Sequence, residues 1–470
     1  MTLKLFNTLT REKEEFKPIT DGEVKFYSCG QTIYDDLHIG NARAYVVWDT
    51  LTRYLRWKGY NVRHVQNITD VGHLTDDGDQ GEDKVEKRAK EMGLEPMELV
   101  EDQIERYFED TKALNIKRQD IMPRATGHIN EMIHYVEKII ENGYGYEVDG
   151  NVYFNVEAFA EDYPYGEMAN KDLEQLKEEA QARVEHDDNK KNQYDFALWI
   201  NADESHLMKW ESPWGVGYPG WHIECSIMSQ KYLGDEFDIH AGGKDHIFPH
   251  HPNERAQAFA ASGKGQARYW LHNEFIQVEG EKMSKSEGNF YTVRELLEKG
   301  FSGDVIRLYL ISTHYRTESD FSIEGLEKAE KELKKIRRTV QRIKSQEGDE
   351  QIDIQSLEDD FKAEMDDDLN TAKAKQVLMK FVNKVNSEMD SGVELSSSVA
   401  EKIEALFQIL GVNIDPEVTE SESEMADLLM EVRDEAREEE DWETSDYIRE
   451  RLQSLGFEVE DTDEGSKWLK

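Results

Sequence analysis

Three groups of residues in this chain are of types, and at spacings, that could do chemistry. His38-Ile39-Gly40-Asn41 follows a short apolar run and precedes a stretch with helical periodicity. A helix N-terminus presents unpaired N–H groups and a partial positive charge, so a phosphate is favoured there. Gly40 lets backbone and a nucleotide base approach closely, and His38 and Asn41 can donate hydrogen bonds. By itself the tetrapeptide also reads as a histidine capping a helix. Lys282-Met283-Ser284-Lys285-Ser286 is the second group. Two lysines among small residues, on a loop past a strand, suit a clamp that neutralises charge on a departing pyrophosphate. The third group is Cys29, Cys225, His250 and Glu254, an acceptable tetrahedral donor set for zinc. His250 and Glu254 would share one helix face at i, i+4 spacing. The two cysteines are far apart in sequence. Spacing alone therefore leaves two buried cysteines and a helix-start histidine as the simpler reading. Pro252 also biases His251 away from the helical region, which would delay the helix and spoil that geometry.

The elements that must position these residues follow from the apolar pattern. Val24 to Gly30 reads as a buried strand, residues 42–58 as a helix and Tyr60 to Ile68 as a second strand, which is a βαβ unit. The same style returns at Phe237 to His240, a helix near 252–262, and Glu274 to Val278. Between the two lies an amphipathic helix, Ile129 to Asn142, then a hairpin, Tyr144 to Phe154, turning at Asp149-Gly150. Residues 156–195 are polar, acidic and irregular in pattern. After Phe321 helical periodicity dominates, broken by acidic, serine-containing stretches at 346–358, 390–398 and 412–424. The expected fold is α/β: a Rossmann-like parallel-sheet catalytic domain split by an insertion, followed by a helical C-terminal half. The expected domains are 1–121 and 201–316 for the two catalytic halves and 122–200 for the insertion. A helical bundle over 317–415 and a small terminal domain over 416–470 complete the chain.

Composition bounds the setting. The 470 residues include 57 Lys and Arg against 100 Asp and Glu, a net charge of −43. Apolar residues make up 38%, too many for a disordered acidic chain. A surface built for concentrated salt fits better, because at about 1 M the Debye length falls to ~3 Å and carboxylate repulsion is screened. A halophilic source is expected. Met1 to Phe16 has no apolar core of a signal peptide, and no run of about 18 apolar residues could span a bilayer. Two cysteines make no disulfide framework, so a reducing cytoplasm is expected.

The HIGN and KMSKS motifs, in this order on a split α/β domain, resemble those of class I aminoacyl-tRNA synthetases. Tyr27-Ser28-Cys29-Gly30, Gly220 to Ser226, Phe237 to His240 and Phe248 to Glu254 are similar to the zinc-binding elements of cysteinyl-tRNA synthetases. The resemblance covers nearly the whole chain. It includes Phe6 to Thr10, Asn67 to Asp70, Met365 to Asp368 and the tail around Trp442 and Trp468. It implies an enzyme that activates L-cysteine with ATP to cysteinyl-adenylate and transfers it to tRNA(Cys). It also implies one zinc per chain on Cys29, Cys225, His250 and Glu254, and Mg²⁺ with the ATP. His38, Gly40 and Asn41, with Lys282, Met283, Ser284, Lys285 and Ser286, would bind ATP. His38, Asn41, Lys282 and Lys285 would carry the catalytic contacts. Gly30, Thr32, Thr69, Trp221 and His240 would line the cysteine pocket, with Asp245 as counter-charge to the substrate ammonium.

Thiolate selection by a metal would need no editing site. Arg437, Trp442, Asp446 and Asp461 would read the GCA anticodon, and the family suggests a monomer. Aminosugar-linked cysteine ligases share the pocket and both motifs but lack such a tail. Asn41 stands where the motif often has a second histidine, and an amide can still donate to ATP. The acidic loop 71–83 has no role legible in its residues, and His73 reads as a surface residue. The acidic balance argues against an RNA partner. Lys331, Lys334, Lys335, Arg338 and Arg342 nevertheless share one face of an expected helix, as a phosphate track or a solvated face.

Overall fold

In strand β1 (Glu23–Ser28), Val24, Phe26 and Tyr27 are wholly buried, as befits a strand covered on both faces. This computed structural model describes residues 2–469 apart from 73, 75–80, 182–186, 205, 279, 283–289, 347, 351, 415–419, 440, 455–456 and 463–464. At Lys282 and Asp461 it describes the backbone alone. Helix α1 (Ile39–Trp57) follows β1 and leads to β2 (Asn61–Gln66), parallel to β1 from Glu23↔Asn61 to Ser28↔Gln66. The second half of the domain supplies α2 (Ile223–Leu233), β3 (Glu236–Gly243), α3 (His250–Ser262) and β4 (Gln266–Asn273). These strands make one four-stranded, all-parallel sheet in the order β4-β3-β1-β2.

The order reverses between β1 and β3, and open α/β sheets bind ligands in the crevice beyond the strand ends at such a point. Cys29 leaves β1 there, and its N–H donates to the carbonyl of Ala241 in β3 at 3.0 Å. Gly30 follows because nothing larger fits: a Cβ on it would lie 1.7 Å from the Asn67 carbonyl oxygen.

The split α/β architecture and helical C-terminal half are as expected, with four differences. The second half closes with β4, not with Glu274 to Val278. Residues Ile276–Val278 instead belong to a separate three-stranded sheet. Strand β4 hides from a hydrophobicity reading because His272 and Asn273 are polar yet buried, and His272 is satisfied by Thr8 Oγ1 at 2.8 Å. The insertion is more regular than its composition suggests. Its antiparallel five-stranded sheet starts at Gly145 and runs on to Pro219, past residue 200, with helices at Val156–Asp162 and Leu173–Gln181 on the way. Pro252 does not delay α3. The helix starts at His250, so proline occupies its first turn, where a missing N–H breaks no intrahelical bond. The C-terminal half also contains strands, an antiparallel hairpin of Glu458–Thr462 and Gly465–Leu469.

The chain divides into two units. The first comprises residues 1–330, 355–380 and 409–412, and the second 331–354, 381–408 and 413–470. Deep in the first, Asp49 Oδ2 accepts from Arg53 Nε at 2.7 Å and from Arg307 Nη2 at 2.6 Å. Arg307 also donates to the carbonyls of Leu114 and Leu410, at 3.0 and 2.7 Å. The end of the second unit has its own core of Ala426, Met430, Ile448, Leu452, Phe457 and Val459. Among the described residues no helix is long and apolar enough to cross a membrane.

Candidate metal centre and nucleotide site

Each expected ligand comes from a different point around the switch. Cys29 follows β1, Cys225 lies in the first turn of α2, and His250 and Glu254 stand one turn apart on α3. All four are buried, and their donor atoms lie within 4.8 Å of one another. A tetrahedral site with bonds of about 2.0–2.3 Å needs donors roughly 3.3–3.8 Å apart, so small side-chain adjustments suffice. His250 Nε2 lies 3.0 Å from Glu254 Oε1 without a hydrogen bond of good geometry, an arrangement that an ion between them would relieve.

Neighbours hold the outer atoms of these ligands. His250 Nδ1 meets His222 Nδ1 at 2.8 Å, leaving Nε2 to face the cluster. Glu254 Oε2 is paired with His240 Nε2 at 2.8 Å and accepts from Gln266 Nε2 at 3.2 Å, which leaves Oε1 inward. Such outer partners fix ligand orientation in metal sites.

Electrostatics match this geometry. Burial pushes the Cys29 thiol up, but the hydrogen bond with Cys225 and the His246 and His251 imidazoles pull it well below the ordinary thiol value. Burial, then its bond to Cys29, raises Cys225. Burial also works against the Glu254 carboxylate, yet His240 and its other partners hold it down at about 2. His250 is driven up to about 10, because contacts with Cys29 and Glu254 outweigh burial. Buried anionic groups thus gather around His250, a charge that a divalent cation would neutralise.

The expected cysteine pocket surrounds this cluster unevenly. Gly30 directly follows Cys29, and Thr32 forms a parallel bridge with Thr69. Trp221 is half-buried, not core, with its ring 4.9 Å from that of His250. His240 is wholly buried, pairs with Glu254 and stacks on Trp270. Asp245 is exposed, 3.7 Å from His246. Sequence reasoning missed His222, His246, His251, His272 and Glu224. Their signal was the crowding of histidines between 222 and 272, which no single motif spans. His251 and His240 form a second donor set with the same Cys29 and Glu254.

At the nucleotide motif, the capping and functional readings coincide. His38 caps α1, its Nδ1 accepting from the N–H groups of Gly40 and Asn41 at 3.2 and 3.3 Å. That bond pattern puts the proton on Nε2, and burial lowers the ring to about 4, so it stays neutral near pH 7. Met283, Ser284, Lys285 and Ser286 lie outside the described residues. The flanks of the KMSKS stretch are described. Lys282 pairs with Gln277, and beyond the loop His38 bridges Thr292 while Ile39 N–H donates to Tyr291 O at 3.0 Å. The described segment beyond the second motif is therefore tied to the first.

In the second unit, Trp442 opens a helix running to Ser454 and is 57% exposed. Asp446 is exposed on the same helix, and Arg437 lies in the last turn of the helix Glu420–Glu438. Only the backbone of Asp461 is described, paired with Ser466. The basic face materialises. Lys331, Lys334, Lys335, Arg338 and Arg342 line one groove with Asn386 and Asp390, and Arg342 pairs with Asp390 at 2.6 Å.

Comparison with known proteins identifies the family. Residues 15–331 match the family model for the catalytic domain of class I (C) tRNA synthetases. Residues 360–415 match the DALR domain and 419–468 the cysteinyl-tRNA ligase anticodon binding domain. The chain is 45% identical to the cysteine–tRNA ligase of Carboxydothermus hydrogenoformans, covering 100% of both proteins. It is 44% identical to that of Thermus thermophilus, over 100% of this chain and 99% of the other. Among solved structures, methionyl-tRNA synthetase of Mycobacterium tuberculosis with methionyl-adenylate shares the fold. It has a TM-score of 0.56 at 16% identity, covering 87% of this chain and 94% of that one.

Proposed function

The chain belongs to the cysteine–tRNA ligase family of class I aminoacyl-tRNA synthetases, and on that premise we propose that Cys29, Cys225, His250 and Glu254 hold one zinc ion. The enzyme joins cysteine to tRNA(Cys) at the expense of ATP. One observation carries the metal assignment: the chain's only two cysteines meet a histidine and a glutamate in one buried cluster. Zinc bound there would take the substrate sulfur as a thiolate and leave serine, whose hydroxyl stays protonated, a poor ligand.

The remaining chemistry is positioning and charge stabilisation. A carboxylate oxygen of cysteine attacks the α-phosphorus of ATP. The new O–P bond replaces the bond to the β-phosphate, and pyrophosphate leaves with the electron pair. A ribose hydroxyl at the tRNA 3′ end then attacks the adenylate carbonyl and AMP departs. His38, neutral and with its proton on Nε2, donates to a phosphate oxygen, and Asn41 offers an amide beside it. Lys282 and Lys285 neutralise the departing pyrophosphate, with Mg²⁺ accompanying ATP. Gly30, Thr32, Thr69, Trp221 and His240 shape the pocket, and Asp245, whose charge also acts on His38, is the counter-charge to the substrate ammonium. Arg437, Trp442, Asp446 and Asp461 meet the anticodon, and the groove from Lys331 to Arg342 offers cations to RNA phosphates. We place the enzyme in the cytoplasm, as a monomer.

The test is cysteine-dependent ATP–pyrophosphate exchange in about 2 M KCl, which screens the acidic surface. Exchange with cysteine and not serine, with one zinc per chain, is the expected result. Zinc-loaded, folded protein that shows no exchange would sink this reading. The charge of −43 gives a companion expectation for a salt-adapted surface. Raising KCl from about 0.1 to 2 M should raise the thermal midpoint by roughly 5 °C or more. A midpoint flat or falling with salt would reject it.

A further inference from the structure

Two arginines with no part in the scheme above join the flanks of both nucleotide motifs to one turn of the helix Pro96–Ala113. Arg106 on that helix grips Asp36, two residues before His38, with a fork. Its Nε donates to Oδ1 and its Nη2 to Oδ2, both at 2.6 Å. Arg294 lies past the KMSKS stretch, in the short helix Val293–Glu298. Its Nη2 donates to Glu109 Oε2 at 2.8 Å and to the Arg106 carbonyl at 3.4 Å, and lies 3.2 Å from Asp110 Oδ1. Arg106, Glu109 and Asp110 stand at i, i+3 and i+4, so they share one face of their helix.

The same two segments are also paired directly with each other. Ile39 N–H donates to Tyr291 O at 3.0 Å and Val293 N–H to Leu37 O at 2.8 Å, with His38 opposite Thr292. Phe290 packs on His38, their ring centroids 5.3 Å apart. Thr292 is held in turn by a capping box with Glu295. Backbone pairing and ion pairs thus close a ring. It runs from Asp36 through His38 to Thr292 and Arg294, across to Glu109 and Asp110, and back through Arg106.

This inference rests on the function proposed above, in which His38 acts on ATP. We propose that Arg106 and Arg294 are positioning residues for adenylate formation, aligning the His38 segment with residues 290–294 through one shared helical turn. A guanidinium that binds a carboxylate by two parallel bonds fixes direction as well as distance. Asp110 is 2% exposed, so one joint is shielded from water and salt. Burial pushes its carboxyl up to about 6 against the pull of Arg294, which leaves it ionised at neutral pH and above. The joint between Arg106 and Asp36 is only half-buried, and such pairs add little to global stability. What the ring supplies is alignment, and misplacing a reacting group by about 1 Å can cost on the order of 100-fold in rate.

The test is ATP–pyrophosphate exchange in the same salt at neutral pH or above, with zinc content and thermal midpoint measured on each protein. Arg294→Gln and Arg106→Gln should each lower kcat/KM for ATP by about tenfold or more. The KM for cysteine should stay within about twofold of wild type, with zinc and midpoint little changed. Arg294→Lys should recover part of the loss, since a cation still reaches Glu109 and Asp110. Arg106→Lys should recover less, because the fork is gone. A ring opened once is already open, so the double variant should be about as slow as the slower single variant. Constants for ATP within about twofold of wild type in both single variants overturn the proposal, as do losses that multiply in the double variant. A lowered midpoint with unchanged ATP constants assigns the arginines to stability alone and overturns it too. If Arg106→Gln does not fold, Asp36→Asn opens the ring at the same joint and is read in the same way. Wild-type protein inert toward cysteine would instead overturn the function itself.

Discussion

On the proposed zinc assignment, replacing Cys225 with serine should abolish zinc binding and lower cysteine-dependent ATP–pyrophosphate exchange by a factor on the order of 10³, since even outer-shell changes around metals cost about 10- to 100-fold. The substitution keeps the volume and takes away one of two thiols in a fully buried site. A serine hydroxyl does not ionise near neutral pH, so three donors remain where four stood. Cys29 is affected too, because the hydrogen bond with Cys225 is the largest influence favouring its thiolate. Zinc per chain and exchange rate should fall together while circular dichroism stays near wild type. A variant with full zinc and activity within about tenfold would exclude Cys225 as a ligand.

The largest expected loss of stability lies well away from the chemistry, at Asp49. Asp49→Asn takes from Arg53 and Arg307, 5% and 0% exposed at their side chains, the carboxylate charge they share. Breaking a buried ion network by removing one partner costs about 3–5 kcal/mol. The urea midpoint should fall accordingly, followed by tryptophan fluorescence in high salt. Acid reveals the same network. Burial pushes the Asp49 carboxyl up, but Arg307 and Arg53 together hold it below the ordinary carboxylate value. A folded value below the unfolded one means the stabilisation is complete above the unfolded pKa of about 3.9, and is lost as pH falls through the folded value. Wild type and Asp49→Asn should therefore differ most near neutrality and converge in strong acid. Parallel midpoints over the whole range would show that Asp49 does not carry the network.

Much of this site could be read in the sequence because it sits at the ends of elements whose patterns are local. Cys29 closes an apolar strand, and His38 opens a periodic helix. The four ligands could be named only through resemblance, since contact between Cys29 and Glu254, 3.9 Å apart, is set by strand order and not by spacing. What stayed hidden is polar and buried. Strand β4 carries His272 and Asn273 inside, against the usual link between polarity and exposure. The terminal hairpin buries Val459 among charged neighbours, so its alternation is too short to register. Glu224, one of 100 acidic residues, carries no mark of burial in the sequence, yet it is buried and accepts from Thr69 Oγ1.

The strand order β4-β3-β1-β2 has a further consequence, for the order of events as the chain is made. Cys29 leaves the ribosome early, and Cys225, His250 and Glu254 emerge only after the whole insertion sheet ending at Pro219. On the proposed assignment, a nascent chain holding β1 and β2 alone would carry one of the four metal donors. The other three then appear within one short stretch. Metal capture would follow the docking of β3 beside β1, which brings Cys29 to the others. Loading the ion would then mark the meeting of the two halves of the catalytic domain.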